Sequence, residues 1–436
     1  MRRQLLVTAV CLSLAAPMVF AAEQTVDSMV DARLAHMTAL RRDIHEHPEL
    51  SNRETRTSKL IAAELKKLGY EVHTGIARTG VVGILKGGKP GPKLAIRADM
   101  DGLPVTEEVD LPFASKVKGE YQGKQVGVMH ACGHDVHMAS TLGVASALAS
   151  VRKDLPGEVM MIFQPAEEGP PAGEEGGATL MVKEGIFKDF KPDAIFGMHV
   201  TSAYTVGTVA VRPGGIMASS DTLRIVVHGL QTHGANPWKG IDPIVAGADI
   251  VMSAQTIVSR RMNINKDPVV LTFGVFDGGQ RFNIVPDSAT LQGTLRTFDS
   301  GMREQALAEL RQVAEHVAAA HGATVDLEVP VEGNSNPVNT NDPALTKRVT
   351  ASMIKVLGAD AVIDASRWTA SEDFPWFGIG AKAPSVYFFV GGTPKDKDTE
   401  TAAFNHSPRF FVDEGALKTG TEAMLQASLD FLGYPG

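Results

Sequence analysis

Apolar residues along this chain fall into two rhythms, and each predicts its own layered unit. Residues 25–68 carry a helical pattern that breaks near His47-Pro48, where a proline stops the first stretch. Short apolar runs at 81–85, 94–98, 159–163 and 194–199 then alternate with helical segments, above all 136–151. That βαβ alternation predicts an α/β domain built on a mostly parallel sheet covered by helices. In such folds functional side chains gather at the carboxyl ends of strands. Asp99, Glu167, Glu168 and His199 stand at such ends.

A second rhythm occupies the middle of the chain. Residues 223–227, 269–275, 289–298 and 324–329 read as strands, while 242–260 and 303–320 read as helices. The order β-α-β-β-α-β is that of a small ferredoxin-like module, which the pattern places at 216–332. Asn334-Ser335-Asn336-Pro337 returns the chain to the larger unit. The expected organisation is a discontinuous catalytic domain, 22–215 and 333–436, interrupted by an inserted dimerisation or lid domain.

The first residues change the picture of where the protein works. Arg2 and Arg3 precede an apolar core at 5–16 and a small-x-small site at Val19-Phe20-Ala21. This is the pattern of a signal peptide spanning 1–21. Its core is too short for a membrane anchor, and later apolar runs are broken by polar residues, so no membrane span is expected. A lipoprotein reading through Cys11 fails on Val10, where a small residue is needed. The expectation is an exported, periplasmic protein. Cleavage would leave Cys132 as the one cysteine, excluding an intrachain disulfide. With 42 basic and 50 acidic residues and a net charge of −8, no basic stripe exists to bind nucleic acid.

Candidate chemistry concentrates in two places. Within residues 129–138, Met-His-Ala-Cys-Gly-His-Asp-Val-His-Met, four groups able to bind metal fall in six positions: Cys132, His134, Asp135 and His137. Thiolate, imidazole and carboxylate together suit zinc, manganese or a similar divalent ion. The apolar run 159–163 empties into Gln164-Pro165-Ala166-Glu167-Glu168-Gly169. A Glu beside such a site that does not bind metal can act as the base that activates water. The pair Glu174-Glu175 competes for these roles, but it lies in a Pro/Gly loop where position is less well held. That loop lacks Gly-Lys-Ser/Thr and is acidic, so it is no phosphate cradle. His45 and His47, beside the helix-ending Pro48, read as structural. Asp135 reads as a helix-start or supporting residue.

Several motifs together resemble a known family. His-Ala-Cys-Gly-His-Asp, Gln-Pro-Ala-Glu-Glu-Gly, Gly-Met-His at 197–199, Asn-His-Ser at 405–407 and Arg97-Ala-Asp99-Met-Asp101-Gly-Leu-Pro104 resemble the aminoacylase, hippurate hydrolase and auxin-conjugate hydrolase branch of the M20 metallopeptidases. The resemblance runs from about Arg41 to Glu414. It implies a zinc-peptidase-like α/β/α catalytic domain and two divalent metal ions per subunit, Mn²⁺ or Zn²⁺ first, with Co²⁺ and Ni²⁺ as alternatives. It implies Cys132, His134, Glu168, His199 and His406 as metal ligands and Glu167 as general base. His233, within 228–237, matches a residue that stabilises the oxyanion, in dimeric relatives across the subunit interface. Asn283 and Arg296 match positions that hold a substrate carboxylate, to which Arg brings a two-pronged hydrogen bond. Related branches carry His-x-Asp where this chain has Arg97-Ala-Asp99. Asp99 therefore either orients a ligand or simply pairs with Arg97.

The reading is an exported binuclear metal amidohydrolase acting on small N-acyl amino acids, as a homodimer. The alternatives are a metallo-dipeptidase or carboxypeptidase and, outside catalysis, a solute-binding protein that keeps the fold. A general base at Glu167 is superfluous for binding alone, which argues against the last.

Overall fold

The computed structural model describes residues 25–333 and 335–435. The leader expected at 1–21 lies outside them.

Helix Val26–Glu46 opens with Thr25, whose hydroxyl accepts the Ser28 amide, and stops before Pro48. Helix Thr55–Lys67 follows, so the break read at His47-Pro48 separates two helices. Between them the chain pairs Leu50 with Gly102 and turns through Asn52 at φ 61°.

Among the described residues the larger sheet has eight strands in the order 71–76, 80–86, 156–164, 89–99, 194–205, 385–393, 209–211, 362–364. The middle four, from Pro156–Gln164 to Ser385–Thr393, run parallel. Antiparallel neighbours extend them at both sides, making the sheet mixed. One such addition is the hairpin Glu71–Ile76 and Gly80–Lys86, whose tight turn holds Ala77 and Arg78 at positive φ. Strand Ser385–Thr393, buried throughout, has no counterpart in the sequence reading.

Both faces of this sheet are covered, which is why its central strands read as continuous apolar runs. Val159, Met161 and Phe163 point to a core shared with helices Val26–Glu46, His134–Ser150 and Gly415–Leu432. Met160 and Ile162 point to the opposite core, under helices Gly177–Lys183 and Pro375–Ala381. The alternation follows from the two-residue period of a strand, and the result is an α/β/α sandwich.

The middle of the chain forms a separate antiparallel sheet ordered 269–278, 288–297, 220–228, 324–328. Helices Pro243–Thr256 and Ser300–Ala320, started by the carboxylates of Asp242 and Asp299, cover one face. Leu223, Ile225, Leu291, Ile250 and Leu310 make its own core. The element order is β-α-β-β-α-β. The helix read at 242–260 ends at Thr256 and continues as a wider turn, Ile257–Arg261.

Candidate metal centre and active site

Two strand ends, the middle of a third strand, one helix start and one late loop converge above the parallel strands. Cys132 lies just before helix His134–Ser150, which begins two residues earlier than its apolar pattern and so carries His134 in its first turn. Gly133 makes the bend at φ 93°, and a Cβ there would stand 2.3 Å from Val200 Cγ1. Glu167 and Glu168 follow strand Pro156–Gln164, His199 lies within strand Ala194–Thr205, and His406 sits in a loop at φ 72°.

These side chains meet. Cys132 Sγ is 3.3 Å from His199 Nε2 and 3.3 Å from His406 Nε2. Glu168 Oε1 is 3.0 Å from His406 Nε2 and 4.0 Å from His134 Nε2. Two triads, Cys132–His134–His199 and Cys132–Glu168–His406, each keep their donor atoms within 4.8 Å and share the sulfur. Every sequence-expected ligand is therefore in one cluster.

The outer nitrogens show how the rings are held. His134 Nδ1 donates to the Asp101 carbonyl at 2.8 Å, and His199 Nδ1 to the Val200 carbonyl at 2.8 Å. Both rings thus turn an Nε2 lone pair inward, the usual bracing of a metal-binding imidazole. Asn405 secures the base of the cluster by donating to the Cys132 and Val200 carbonyls. His137 differs: its Nε2 accepts the Val200 amide and its Nδ1 donates to Asp99 at 2.6 Å. With both nitrogens in use, His137 is a support and not a donor.

The cluster fits a divalent cation on its own terms. His134 Nε2 and Glu168 Oε1 are buried without a hydrogen-bond partner, a costly state for polar atoms. Donors around one tetrahedral ion with bonds of about 2.0–2.3 Å lie roughly 3.3–3.8 Å apart, close to the separations here. Burial, followed by Glu168 and Glu167, pushes the Cys132 thiol well above its ordinary value. Burial also holds His199 well below its usual value, leaving it neutral. Soft sulfur, neutral imidazole and carboxylate form a donor set for a zinc-like or manganese-like ion.

Glu167 stands beside the cluster, its Oε2 3.9 Å from His134 Nε2 and its side chain 8% exposed. Burial first, then Glu372 and Glu168, drive its carboxyl well up, toward the protonated form. Asp99 pairs with Arg97, one of the two alternatives left by the sequence, and its other hydrogen bond is to the supporting His137, not to a ligand. One oxygen accepts from His137, the other from Arg97 at 2.7 Å. Fully buried Arg97 also donates to Gln164, Glu372 and Asp373, joining three segments.

Above the cluster lies a cavity of about 140 Å³, walled by Met217, Trp368 and Phe404 opposite Glu167 and Glu372. Larger recesses of about 460 and 410 Å³ lie along 277–290 and beside 71–93, where no comparable donor set converges.

Three expected site residues are not brought to this cavity. His233 is exposed in the small unit, accepting the Ala235 amide. It pairs with Ile284 in a short ladder that sets it beside Asn283, whose Oδ1 is buried and unpartnered. Arg296 is half-buried on strand Ser288–Thr297 and makes no ion pair among the described residues; burial lowers its pKa. Asp135 does not cap its helix, a role taken by Gly133; it accepts from Arg41 at 2.7 Å and His45 at 2.9 Å. His45 also meets Glu107, confirming it as structural. Sequence reasoning missed Glu372, Asp373 and Trp368. The acidic pair ending Ala370-Ser371-Glu372-Asp373 was the available signal.

Comparison with known proteins agrees with this geometry. A sequence model of peptidase family M20/M25/M40 matches residues 95–430. A protein named thermostable carboxypeptidase 1 from Saccharolobus solfataricus is 40% identical, over 90% of this chain and 94% of its own. An N-acetyl-L-cysteine deacetylase from Bacillus subtilis is 37% identical, over 87% of this chain and 84% of its own. A solved Bacillus subtilis structure, described as a dinuclear metal-binding peptidase of the M20 family, superposes with TM-score 0.76 at 33% identity, covering 93% of this chain and 100% of that one.

Proposed function

Given that the chain belongs to peptidase family M20/M25/M40, and so is a metal-dependent amidohydrolase, we propose that it cleaves N-acyl amino acids into a carboxylate and a free amino acid. Two divalent ions, Mn²⁺ or Zn²⁺ first and Co²⁺ or Ni²⁺ as alternatives, would be held by Cys132, His134, Glu168, His199 and His406. When bound they would acidify water and polarise the scissile carbonyl.

The observation that carries the reading is Glu167, a carboxyl beside the ligand cluster that hydrogen-bonds no other side chain among the described residues. Glu167 takes the proton from the attacking water as oxygen bonds to the carbonyl carbon. It then returns that proton to the amide nitrogen as the C–N bond breaks. A carboxyl pushed toward its protonated form by burial and Glu372 is suited to the second half of this transfer. Arg97 keeps Glu372 at the cavity, and the Trp368–Phe404 wall gives an apolar group a surface to lie on.

His233 donates to the oxyanion, and Asn283 and Arg296 hold the substrate carboxylate. Their place outside the cavity requires either closure of the inserted unit or donation from a second subunit. We favour a homodimer joined through the inserted units. Strand Val269–Gly278 has an unpaired edge among the described residues and exposes Val270, Val275 and Phe276, while the adjacent helix exposes Met252. The leader pattern at 1–21 supports a periplasmic location for the mature protein.

The test is a hydrolysis screen of N-acyl amino acids against dipeptides, with Mn²⁺, Zn²⁺ and Co²⁺ added separately. The relative named a carboxypeptidase supports a second reading, peptide cleavage. Turnover of dipeptides with N-acyl amino acids untouched would select it. No turnover of either class with any metal would overturn both substrate readings.

A further inference from the structure

The turn that carries Glu167 and Glu168 is held in an unusual way. Strand Pro156–Gln164 has ended, Ala166 takes φ 52°, and three consecutive amides point into the interior without strand partners. Two buried carboxylates from distant segments receive them. Glu54 Oε1 accepts the Ala166 amide at 2.9 Å. Asp101 accepts the Glu167 amide on Oδ1 and the Glu168 amide on Oδ2, each at 3.1 Å.

Each carboxylate is braced in turn. Glu54 Oε1 also accepts the Asn52 amide at 3.0 Å, and its Oε2 accepts the Thr79 hydroxyl at 2.5 Å. Ser51 donates to Asp101 Oδ2 at 2.8 Å. Glu54 has no basic side chain within ion-pair distance among the described residues, and Asp101 meets only His134 Nδ1, at 3.4 Å. Burying two such groups is expensive unless their oxygens are satisfied; here amides and hydroxyls satisfy them. Among the described residues the Glu167 carboxyl makes no hydrogen bond to fix its own direction. Its place, and that of Glu168, is set by where the turn aims each Cα–Cβ bond.

We propose that Glu54 and Asp101 are positioning residues that clamp the 166–168 turn and thereby aim the proton-transferring Glu167 and the metal-binding Glu168. This rests on the roles proposed for those two glutamates. The geometry makes opposite demands at the two positions. At Glu54 one oxygen takes both amides and the other meets a hydroxyl, which can reverse and accept. Glu54→Gln therefore keeps the clamp, while Glu54→Ala opens it. At Asp101 each oxygen takes a different amide, so Asp101→Asn sets an NH₂ group against an N–H whichever way it turns.

The experiment measures Mn²⁺ binding to the metal-stripped protein by calorimetry, and kcat and KM on an N-acetyl amino acid, with melting temperature as a check on folding. Asp101→Asn and Glu54→Ala are expected to weaken Mn²⁺ about 10-fold or more and to lower kcat by up to about 10²-fold, with little change in KM. Glu54→Gln should restore both to near wild type. Asp101→Asn that folds and keeps both values overturns the proposal, as does Glu54→Gln as impaired as Glu54→Ala. Should Asp101→Asn or Glu54→Ala not fold, Glu54→Gln decides: a folded but slow protein overturns the clamp. Glu167→Gln, run alongside, separates the two levels. Full activity there removes the role of Glu167 itself, whereas an inactive Glu167→Gln beside unaffected clamp variants removes only the clamp.

Discussion

Replacing Arg97 with Gln should destabilise the larger unit while leaving the inserted one intact. Arg97 is fully buried and serves Asp99, Gln164, Glu372 and Asp373 at 2.7–3.2 Å. Gln reaches at most one of these. Removing one partner of a buried ion pair costs about 3–5 kcal/mol. Protonation bounds the loss, because neutralising one ordinary carboxyl at pH 7 costs about 4 kcal/mol. Asp373, already raised by burial to about 8 even beside Arg97, carries a proton at neutral pH and adds little. Asp99 keeps its bond from His137 and Glu372 keeps the Tyr387 hydroxyl, so the two do not sum to twice the single cost. The expected loss is about 4 kcal/mol at pH 7.5.

The pH dependence has a definite sign. In the wild type, burial pushes Asp99 up, but Arg97 together with His134 and His137 outweighs it and holds Asp99 well below the usual carboxylate range. That stability is present above the unfolded carboxylate pKa and lost only in strong acid. In the variant the freed carboxyls are raised, so folding favours protons and stability falls as pH rises. The gap between the two proteins should therefore shrink from pH 7.5 to 5.5, by about 1.4 kcal/mol per pH unit for each carboxyl that titrates. Urea unfolding at fixed metal concentration, followed by tryptophan fluorescence, measures it, since Trp368 and Trp376 report from the larger unit. A change below about 0.5 kcal/mol, or a gap constant across that pH range, would refute the reasoning.

Glu167→Gln should keep its metal and lose about 10²–10⁴-fold in rate, because shape is preserved and the proton acceptor removed; activity within a few fold of wild type at normal metal content excludes Glu167 as the base. Glu168→Gln should instead show reduced metal occupancy by elemental analysis, its oxygen being 3.0 Å from His406 Nε2. Cys132 should react slowly with thiol reagents when metal is bound and faster after chelation; equal rates in both states would remove it from the ligand set. Mixing inactive His233→Ala with inactive Glu167→Gln under subunit exchange should recover activity, since each mixed dimer has one site with both groups intact; heterodimers that form and stay inactive would return His233 to its own subunit.

Much of the site was legible in the sequence because its parts obey local rules. Short apolar runs lead to Asp99, Glu167 and His199, although the strand carrying His199 runs on to Thr205, and the chemistry of Cys132-Gly-His134 states its own preference for metal. The β-α-β-β-α-β order of 220–328 follows from the same periodicities. Strand Ser385–Thr393 has no counterpart in the sequence reading, although its unbroken apolar run 386–390 is the same kind of signal as 159–163. Periodicity says nothing about pairs distant in sequence. Arg97 meets Glu372 across 275 positions, Glu54 meets Ala166 across 112, and Asp135 faces Arg41 instead of its own helix start. Residue types and their spacing state which donors exist and set Cys132, His134 and Glu168 beside element ends, though not His199, which lies within its strand. Folding settles the rest: His137 has both nitrogens occupied, whereas His134 uses its Nδ1 on the Asp101 carbonyl and keeps its Nε2 without a partner among the described residues. It also left His233 outside the cavity. A residue's type sets what it can bond, whereas its remaining valence depends on neighbours that chain folding brings from elsewhere.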